Sequence, residues 1–332
     1  MLLPIVLAVL EQTSDRRLSV SLLLGVAYAA SIGGIATPIG TPPNLIFMKV
    51  LSETVGVEIG FVEWMQLALP IALVMLLFAG LWITRNLAKS EEIRMPGVGI
   101  WRSEEKRTLA VFCVTAALWI TRSQPFGGWS RWSGLVNAND ASVALLGVVA
   151  LFIVPAGSGV ASRQEGHAGE TDDEKLSRAT LLDWETAVKI PWGILILIGG
   201  GIAIAKAFVE SGLSQQLGSI LAGVGGLPLL LLIASICLAV TFLTEMTSNT
   251  ATTTLLLPIL AAAAVAADMD PRAFMIPATI SASFAFMLPV ATPPNAIVFG
   301  CEKISMREMA REGLVLNLIG VFVVTFLSYW FL

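Results

Sequence analysis

Three neutral polar residues, Ser248-Asn249-Thr250, interrupt an apolar stretch that runs from residue 228 to residue 267. Hydroxyl and amide groups donate and accept hydrogen bonds, so the triplet can contact an anion or a cation without carrying charge itself. If two helices meet here, the carbonyl end of the first suits a cation and the N–H end of the second suits an anion. A polar turn that only joins two helices is the alternative interpretation.

A second interruption, Thr292-Pro293-Pro294-Asn295, follows Ala291 within the apolar stretch 273–300. The two prolines lack an N–H group and their rings clash with the preceding helical turn, so the carbonyl groups just before them lose their helical partners. These oxygens, including that of Ala291, are then free to contact a cation. A simple proline kink is the alternative.

The same order of residues occurs earlier, at Thr41-Pro42-Pro43-Asn44, in a stretch that begins at Thr37. Gly40 precedes the motif and permits a close approach of the backbone. Gly33-Gly34, slightly upstream, is interpreted either as part of this feature or as a helix-packing surface. The stretch 37–44 is therefore the candidate partner of the loop around Pro293.

No arrangement typical of an enzyme is visible. His167 is the single histidine and lies in a polar, Gly- and Glu-rich stretch. Cys113, Cys237 and Cys301 are far apart and lack metal-ligand spacing. No basic cluster with interleaved aromatic residues is present, which argues against a nucleic-acid partner. We expect no enzymatic activity and no cofactor.

The elements that carry these motifs are predicted to lie in a membrane. The 332 residues are 56% hydrophobic and 13% charged, against about 25% charged in soluble domains. Several apolar runs are shorter than the roughly 20 residues of a straight spanning helix, and they come in pairs around the polar interruptions. Broken helices at membrane depth survive only inside protein or beside a cavity, and they mark binding sites in transporters. The fold class predicted is an all-α polytopic membrane protein with re-entrant helical hairpins and broken helices.

Two parts of the sequence resemble each other. Leu2-Leu3-Pro4-Ile5 matches Leu256-Leu257-Pro258-Ile259, and the two Thr-Pro-Pro-Asn motifs follow in the same order. The spans between the copies reverse the direction of crossing, which predicts an inverted repeat. The counterpart of the Ser248 triplet would lie just before Met1. We therefore expect the chain to start just after half of its site, without an N-terminal portion.

The repeat suggests a division of the chain. Residues 1–84 form the remainder of the first repeat, namely the end of a hairpin, a broken helix and the following span; 85–107 form a cytoplasmic loop; and 108–332 form the second inverted repeat. The second repeat holds scaffold spans, a cytoplasmic linker (157–189), a re-entrant hairpin (228–267), a broken helix (273–300) and the last span (313–332). Most of the 20 Lys and Arg residues fall in the stretches 11–17, 85–107, 157–189 and 302–312. The positive-inside rule places these stretches in the cytoplasm, as in a multi-pass protein of the cell inner or plasma membrane.

Three motifs carry a family resemblance over essentially the whole chain. Ser248 to Thr253, Ser31 to Asn44, and Leu288 to Gly300 resemble the divalent anion:sodium symporter family, whose members carry dicarboxylates, citrate or sulfate. The resemblance implies two re-entrant hairpins with Ser-Asn-Thr tips and two unwound helices. It also implies a homodimer in which a transport domain moves against a scaffold like an elevator.

The resemblance further implies roles for individual residues. A second sodium site would use Thr244, Thr247, Asn249 and Ala291, and the carbonyl of Gly40 would serve the first. Substrate contacts would come from Ser248, Asn249, Thr250, Thr41 and Pro293. The supporting broken-helix loops contain Thr37, Pro42, Pro43, Asn44, Thr292, Pro294 and Asn295. Glu245, beside the triplet at membrane depth, either acts directly or pairs locally.

Together these observations favour sodium-coupled symport of a small dianion by elevator-type alternating access, with a C4-dicarboxylate such as succinate as the cargo. A symporter of sulfate or another oxyanion is one alternative, and a truncated fragment that does not transport is another. The expected partners are the substrate, sodium, the lipid bilayer and a second copy of the chain.

Overall fold

The computed structural model describes residues 2–11, 15–87, 101–122, 128–135, 137–157, 180–190 and 228–331, and between them residues 192, 196, 199–200, 203, 206–207, 210–213 and 216. The regular secondary structure of these segments is helical, and β contact within them is limited to an isolated bridge between Pro155 and Thr180. Within these segments, five helices are long and apolar enough to cross a membrane. The predicted all-helical polytopic architecture is confirmed at this level.

Packing divides the chain into two compact units, Met1–Pro96 with Ile194–Leu332, and Gly97–Gly193. The described helices of the first unit are α1 (Leu2–Leu10), α2 (Arg16–Ile35), α3 (Pro42–Val55), α4 (Phe61–Thr84), α9 (Leu229–Met246), α10 (Asn249–Ala266), α11 (Arg272–Ala282), α12 (Pro293–Phe299) and α13 (Met306–Phe331). Those of the second unit are α5 (Ser103–Ile120), α6 (Gly128–Trp132), α7 (Asp140–Ile153) and α8 (Trp184–Ala187).

Helices α9 and α10 form a pair joined by only two residues, Thr247 and Ser248. Ser248 adopts an extended backbone conformation, and its carbonyl accepts the N–H of Thr252 at 2.8 Å, which starts α10. Pro258 lies inside α10 without ending it. The apolar stretch 228–267 is therefore two helices, and the interruption falls at the Ser-Asn-Thr motif.

Each Thr-Pro-Pro-Asn motif begins a new helix. Pro42 and Pro43 occupy the start of α3 after an extended Thr41, and Pro293 and Pro294 occupy the start of α12 after an extended Thr292. Proline is favoured there because the first N–H groups of a helix have no partner within it. A non-helical stretch precedes each motif: residues 36–41 form the first break, and residues 283–292 form the second break.

Two interrupted helices cross in the first unit: one consists of α2 and α3, the other of α11 and α12, and the first half of each packs against the second half of the other. Helix α3 lies against α11, and α12 lies against α2, while α10 contacts both α3 and α11. Helix α13 packs against α9, α11 and α4. At the centre, the buried rings of Tyr28 and Phe286 meet edge to face with centroids 5.1 Å apart. This contact fixes α2 to the non-helical stretch before α12.

The last helix begins earlier than the sequence analysis predicts. Helix α13 begins at Met306, whereas a loop over 302–312 and a span from residue 313 were expected. The carboxylate of Glu308 accepts the N–H and hydroxyl of Ser305 at 2.9 and 2.6 Å, and the N–H of Glu308 donates to the Ser305 hydroxyl at 3.2 Å. This reciprocal capping box stabilises the additional turn.

In the second unit, α5 and α7 pack together. The indole N–H of Trp119 donates to the carbonyl of Asp140 at 3.0 Å, and Arg122 forms an ion pair with Asp140 at 2.8 Å. Of the predicted linker 157–189, residues 158–179 lie outside the described residues. Its last part contains the short helix α8, which Asp183 caps by accepting the N–H of Thr186 at 2.7 Å.

Candidate functional site

The α9–α10 turn brings three oxygen atoms together. The hydroxyl oxygen of Thr244 lies 2.6 Å from the side-chain oxygen of Asn249 and 3.0 Å from the carbonyl oxygen of Ala282, the last residue of α11. The Thr244 side chain is fully buried. A hydroxyl has a single proton, so it can satisfy only one of its two neighbours at a time. The cluster therefore holds more acceptor capacity than protons, as a small-cation site does.

The neighbouring predicted residues lie around the same turn with different partners. The hydroxyl of Thr247 donates to the carbonyl of Leu243 at 2.9 Å and lies 2.6 Å from the hydroxyl of Thr252. Ser248 is exposed at the start of α10, and Thr250 is buried in its first turn. The first N–H groups of α10 have no partners within the helix, so the turn presents both donors and acceptors.

Glu245, one residue after Thr244, supports the non-helical stretch before α12. Its carboxylate is 3% exposed and accepts the N–H groups of Met287 and Leu288, each at 2.9 Å. Asn317 of α13 donates to Glu245 at 2.6 Å and accepts the N–H of Phe286 at 3.2 Å. Three successive N–H groups freed by the helix break are thus satisfied by two side chains. Of the two interpretations, local pairing is what the structure shows for Glu245.

Helix α13 approaches this stretch closely at Gly313. A Cβ atom at that position would lie 2.1 Å from the carbonyl oxygen of Phe286 and 2.7 Å from the Cα of Met287. No side chain fits, so glycine allows the backbones to come together. Gly313 lies one turn before Asn317, which places the close contact and the hydrogen bond on one face of α13.

Asn295, in the first turn of α12, also stabilises the second break. Its side-chain amide donates to the carbonyls of Ala285 and Leu288 at 3.0 and 3.1 Å, ten and seven residues earlier. The hydroxyl of Thr292 accepts the N–H of Asn295 at 3.3 Å. The side-chain oxygen of Asn295 is buried and has no hydrogen-bond partner among the described residues. It is a further acceptor within the broken region.

Asn44 makes the corresponding contacts in the first break. Its amide donates to the carbonyls of Gly34 and Thr37 at 3.3 and 2.8 Å, again ten and seven residues earlier. Its buried side-chain oxygen also lacks a hydrogen-bond partner among the described residues. The two Thr-Pro-Pro-Asn motifs therefore use their asparagines in the same way.

Gly34 and Gly40 are in close contact across the first break. A Cβ atom on Gly40 would lie 2.2 Å from the carbonyl oxygen of Gly34, and one on Gly34 would lie 3.1 Å from the carbonyl oxygen of Gly40. A Cβ atom on Gly33 would have nothing within 4 Å. Of the two interpretations of Gly33-Gly34, the structure favours a role in the turn for Gly34.

The predicted site residues thus fall into connected groups. Thr244 and Asn249 meet directly, and Thr37 and Asn44 are hydrogen-bonded in the first break. Ala291 is buried in the second break. Among the described residues no hydrogen bond joins Thr41 or Pro293 to the 248–250 turn. Helix α3, which follows the first break, packs against α10, which follows the 248–250 turn.

Ala282, Gly313 and Asn317 were not among the residues predicted from the sequence. Asn317 is a fully buried polar residue within a spanning helix, which is the signal that pointed to Glu245. Gly313 and Ala282 carry no such signal, because a small residue in an apolar run has many possible roles. Among the described residues, no group of three or more His, Cys, Asp or Glu side chains could hold a metal ion.

Comparison with known proteins assigns the family. Residues 3–332 match the family model for the sodium:sulfate symporter transmembrane region. The chain is 37% identical over 351 residues to the sodium-dependent dicarboxylate transporter SdcS of Staphylococcus saprophyticus, a match covering 99% of this chain and 64% of that protein. It is 37% identical over 332 residues to SdcS of Staphylococcus aureus strain USA300, covering 96% of this chain and 60% of that protein.

The chain therefore spans somewhat less than two thirds of the length of these relatives. The match covers nearly all of the chain and includes the broken helices and the α9–α10 turn. The family and these relatives are transporters rather than enzymes. The chain is an integral multi-pass membrane protein that belongs to the divalent anion:sodium symporter family.

Proposed function

We propose that this chain forms the ion- and substrate-binding part of a sodium-coupled symporter for a small dianion, with a C4-dicarboxylate such as succinate as the substrate. The observation that carries the proposal is the buried cluster of Thr244, Asn249 and the Ala282 carbonyl at a helix break, in a chain whose relatives are named sodium-dependent dicarboxylate transporters.

Sodium would bind beside the oxygens of Thr244 and Asn249, which are hydrogen-bonded to each other in this structure. Backbone carbonyls and helix C-termini coordinate sodium in transporters with broken helices, and the end of α9 and the carbonyl of Ala282 provide such groups here. Thr247 and Ala291 are proposed as further sodium ligands, since Thr247 follows α9 and Ala291 lies in the 283–292 stretch. The carbonyl of Gly40 serves a first sodium site in the other break.

The dianion would bind at the start of α10. The N-terminal N–H groups of a helix attract a carboxylate, and the hydroxyls of Ser248 and Thr250 with the amide of Asn249 add neutral donors. Thr41 and Pro293, each at the start of a half-helix, are proposed as the opposite wall. Because these substrate ligands are uncharged, the affinity for the dianion depends on sodium, which is the physical basis of coupling.

The inverted repeat is supported by paired contacts. Asn44 and Asn295 donate to carbonyls at the same two separations, seven and ten residues. A two-fold exchange of α2 with α11 and of α3 with α12 turns the α3–α11 contact into the α12–α2 contact, and both occur. We propose that α9 and α10 enter the membrane as a re-entrant hairpin, and that a homodimer with elevator-type movement carries out transport, as the family resemblance implies.

Sulfate or another oxyanion is the second candidate substrate. The matched family model names sodium:sulfate symport, whereas the relatives are named for dicarboxylates. A site of neutral donors at a helix N-terminus accepts either anion. Competition of unlabelled sulfate against labelled succinate distinguishes them. We expect excess succinate, but not excess sulfate, to remove the label.

The proposal is tested by uptake of labelled succinate into liposomes containing the purified chain. Uptake should follow an inward sodium gradient and stop when choline replaces sodium. Asn249→Ala should reduce it to the background, because the side chain serves both the ion and the anion. Asn137→Ala, an exposed asparagine in the second unit, is the control and should leave uptake unchanged. Uptake that ignores sodium, or that survives Asn249→Ala, would overturn the proposal.

A further inference from the structure

A basic cavity of about 520 Å³ lies in the first unit, and none of its lining residues belongs to the α9–α10 turn. It is formed where α2 begins, α4 ends and α13 begins, and these three helix ends face the same side of the membrane. Most Lys and Arg residues of the chain fall in the connections on that side, which the positive-inside rule assigns to the cytoplasm. The inner leaflet there carries the negative surface charge of anionic lipids.

The charges that line the cavity do not cancel. Arg16 donates three hydrogen bonds to the carboxylate of Glu308, at 3.3, 3.1 and 3.0 Å, and Arg85 forms an ion pair with Glu312 at 2.8 Å. The cavity lining also includes Arg17, Arg311 and Asn86 but no further carboxylate. Both carboxylates are therefore already neutralised by a guanidinium.

Arg17 and Arg311 are the uncompensated charges of the cavity. Their guanidinium groups form no hydrogen bond or ion pair with any residue in the described part of the chain, and both residues are exposed. They approach the cavity from α2 and from α13. Two converging guanidinium groups with free donors are suited to a phosphate group, which arginine binds through paired hydrogen bonds.

The cavity adjoins an apolar surface. Val20 and Ile83 contribute to its lining. One turn before Arg85 on α4, Leu81 is 62% exposed, and Leu77 and Leu73 follow at intervals of four residues with 62% and 58% exposure. Residues four apart share a helix face, so these leucines form a stripe that runs from the cavity towards the bilayer centre. A ligand that fits both features has an anionic head and an apolar tail.

We propose that this cavity binds the headgroup phosphate of an anionic phospholipid of the cytoplasmic leaflet. Arg17 and Arg311 donate to the phosphate, and an acyl chain lies along Leu81, Leu77 and Leu73. The lipid would connect α2, α4 and α13. Helix α2 leads into the first break, and α13 carries Asn317, which contacts the second break. The site is separate from the proposed transport site, so its test needs no transport activity.

Native mass spectrometry of the detergent-purified chain, titrated with phosphatidylglycerol, tests the proposal. Arg17→Gln and Arg311→Gln should each weaken binding about fivefold, because each basic residue near an anionic lipid surface contributes about 1 kcal/mol. The double variant should weaken it about 25-fold if the effects add. Arg17→Lys and Arg311→Lys keep the charge but lose the paired donors, so each should bind more tightly than the corresponding Gln variant and more weakly than the parent chain.

Lys49→Gln is the matched control, since it removes a positive charge from α3, at the other end of the first unit, and should leave binding unchanged. Thermal unfolding without lipid should be the same for all variants. Equal binding of zwitterionic phosphatidylcholine would overturn the proposal. So would displacement of the lipid by glycerol 3-phosphate at equal concentration, which would show a site for a soluble phosphate.

Discussion

Glu245 and Asn317 lie far apart in the sequence, yet together they accept hydrogen bonds from three backbone N–H groups of the second break. A freed N–H group in a bilayer without water has no other partner, and leaving it unpaired is costly. Glu245 therefore positions the backbone around Ala291 rather than contacting a ligand.

Glu245→Gln tests this positioning role. A glutamine side chain has one acceptor oxygen where the carboxylate has two, so one of the N–H groups of Met287 and Leu288 loses its partner. We expect a loss of about 1–3 kcal/mol in the free energy of unfolding, measured by thermal or denaturant unfolding in detergent. Glu53→Gln is the control, because it breaks only a surface ion pair with Lys49 and should cost less than about 1 kcal/mol. Equal effects of the two changes would contradict the role of Glu245.

At this scale the local motifs were predictable and the long-range contacts were not. The helix breaks were visible because Ser248-Asn249-Thr250 and the two Pro-Pro pairs are contiguous in sequence. The Glu245–Asn317 bond joins residues 72 positions apart. A single sequence shows that both are polar residues in apolar surroundings but contains nothing that pairs them.

The interrupted helices depend on small residues as much as on prolines. The prolines decide where α3 and α12 begin. Glycine decides how closely the preceding stretches can be packed, as at Gly40 against Gly34 and at Gly313 against Phe286. Helix α13 begins at Met306, before the predicted span from residue 313, and the Ser305–Glu308 capping box marks its start.

Gly313→Ala tests the close approach of α13. The added Cβ atom would lie 2.1 Å from a backbone oxygen, so the helix or the 283–292 stretch must move. Overpacking of this kind typically costs about 1–3 kcal/mol, and we expect a lower unfolding temperature. Gly80→Ala on α4 is the control, since its Cβ atom would meet nothing within 4 Å, and it should be neutral or slightly stabilising. A stable Gly313→Ala variant would show that the backbones do not pack this closely.

For the molecule as a whole, composition already indicated a membrane protein, and the motifs already indicated the family. The structure adds the crosswise packing of the two interrupted helices and the shared use of Asn44 and Asn295. These features bring both breaks, far apart in sequence, into one packed unit. We propose that such a unit responds to sodium as a whole, because an ion bound at the α9–α10 turn would tie α9 to α11, as the Thr244–Ala282 hydrogen bond does.

The most direct test of the account is the thermal unfolding of the purified chain in sodium compared with choline. A ligand that binds only the folded state stabilises it, by about 2.7 kcal/mol at 100 times the dissociation constant. We predict that sodium raises the unfolding temperature and that Thr244→Val removes this response. Thr241→Val, which replaces a buried hydroxyl on the same helix that has no hydrogen-bond partner in the described structure, should keep it. An unchanged sodium response in Thr244→Val, or none in the parent chain, would contradict the account.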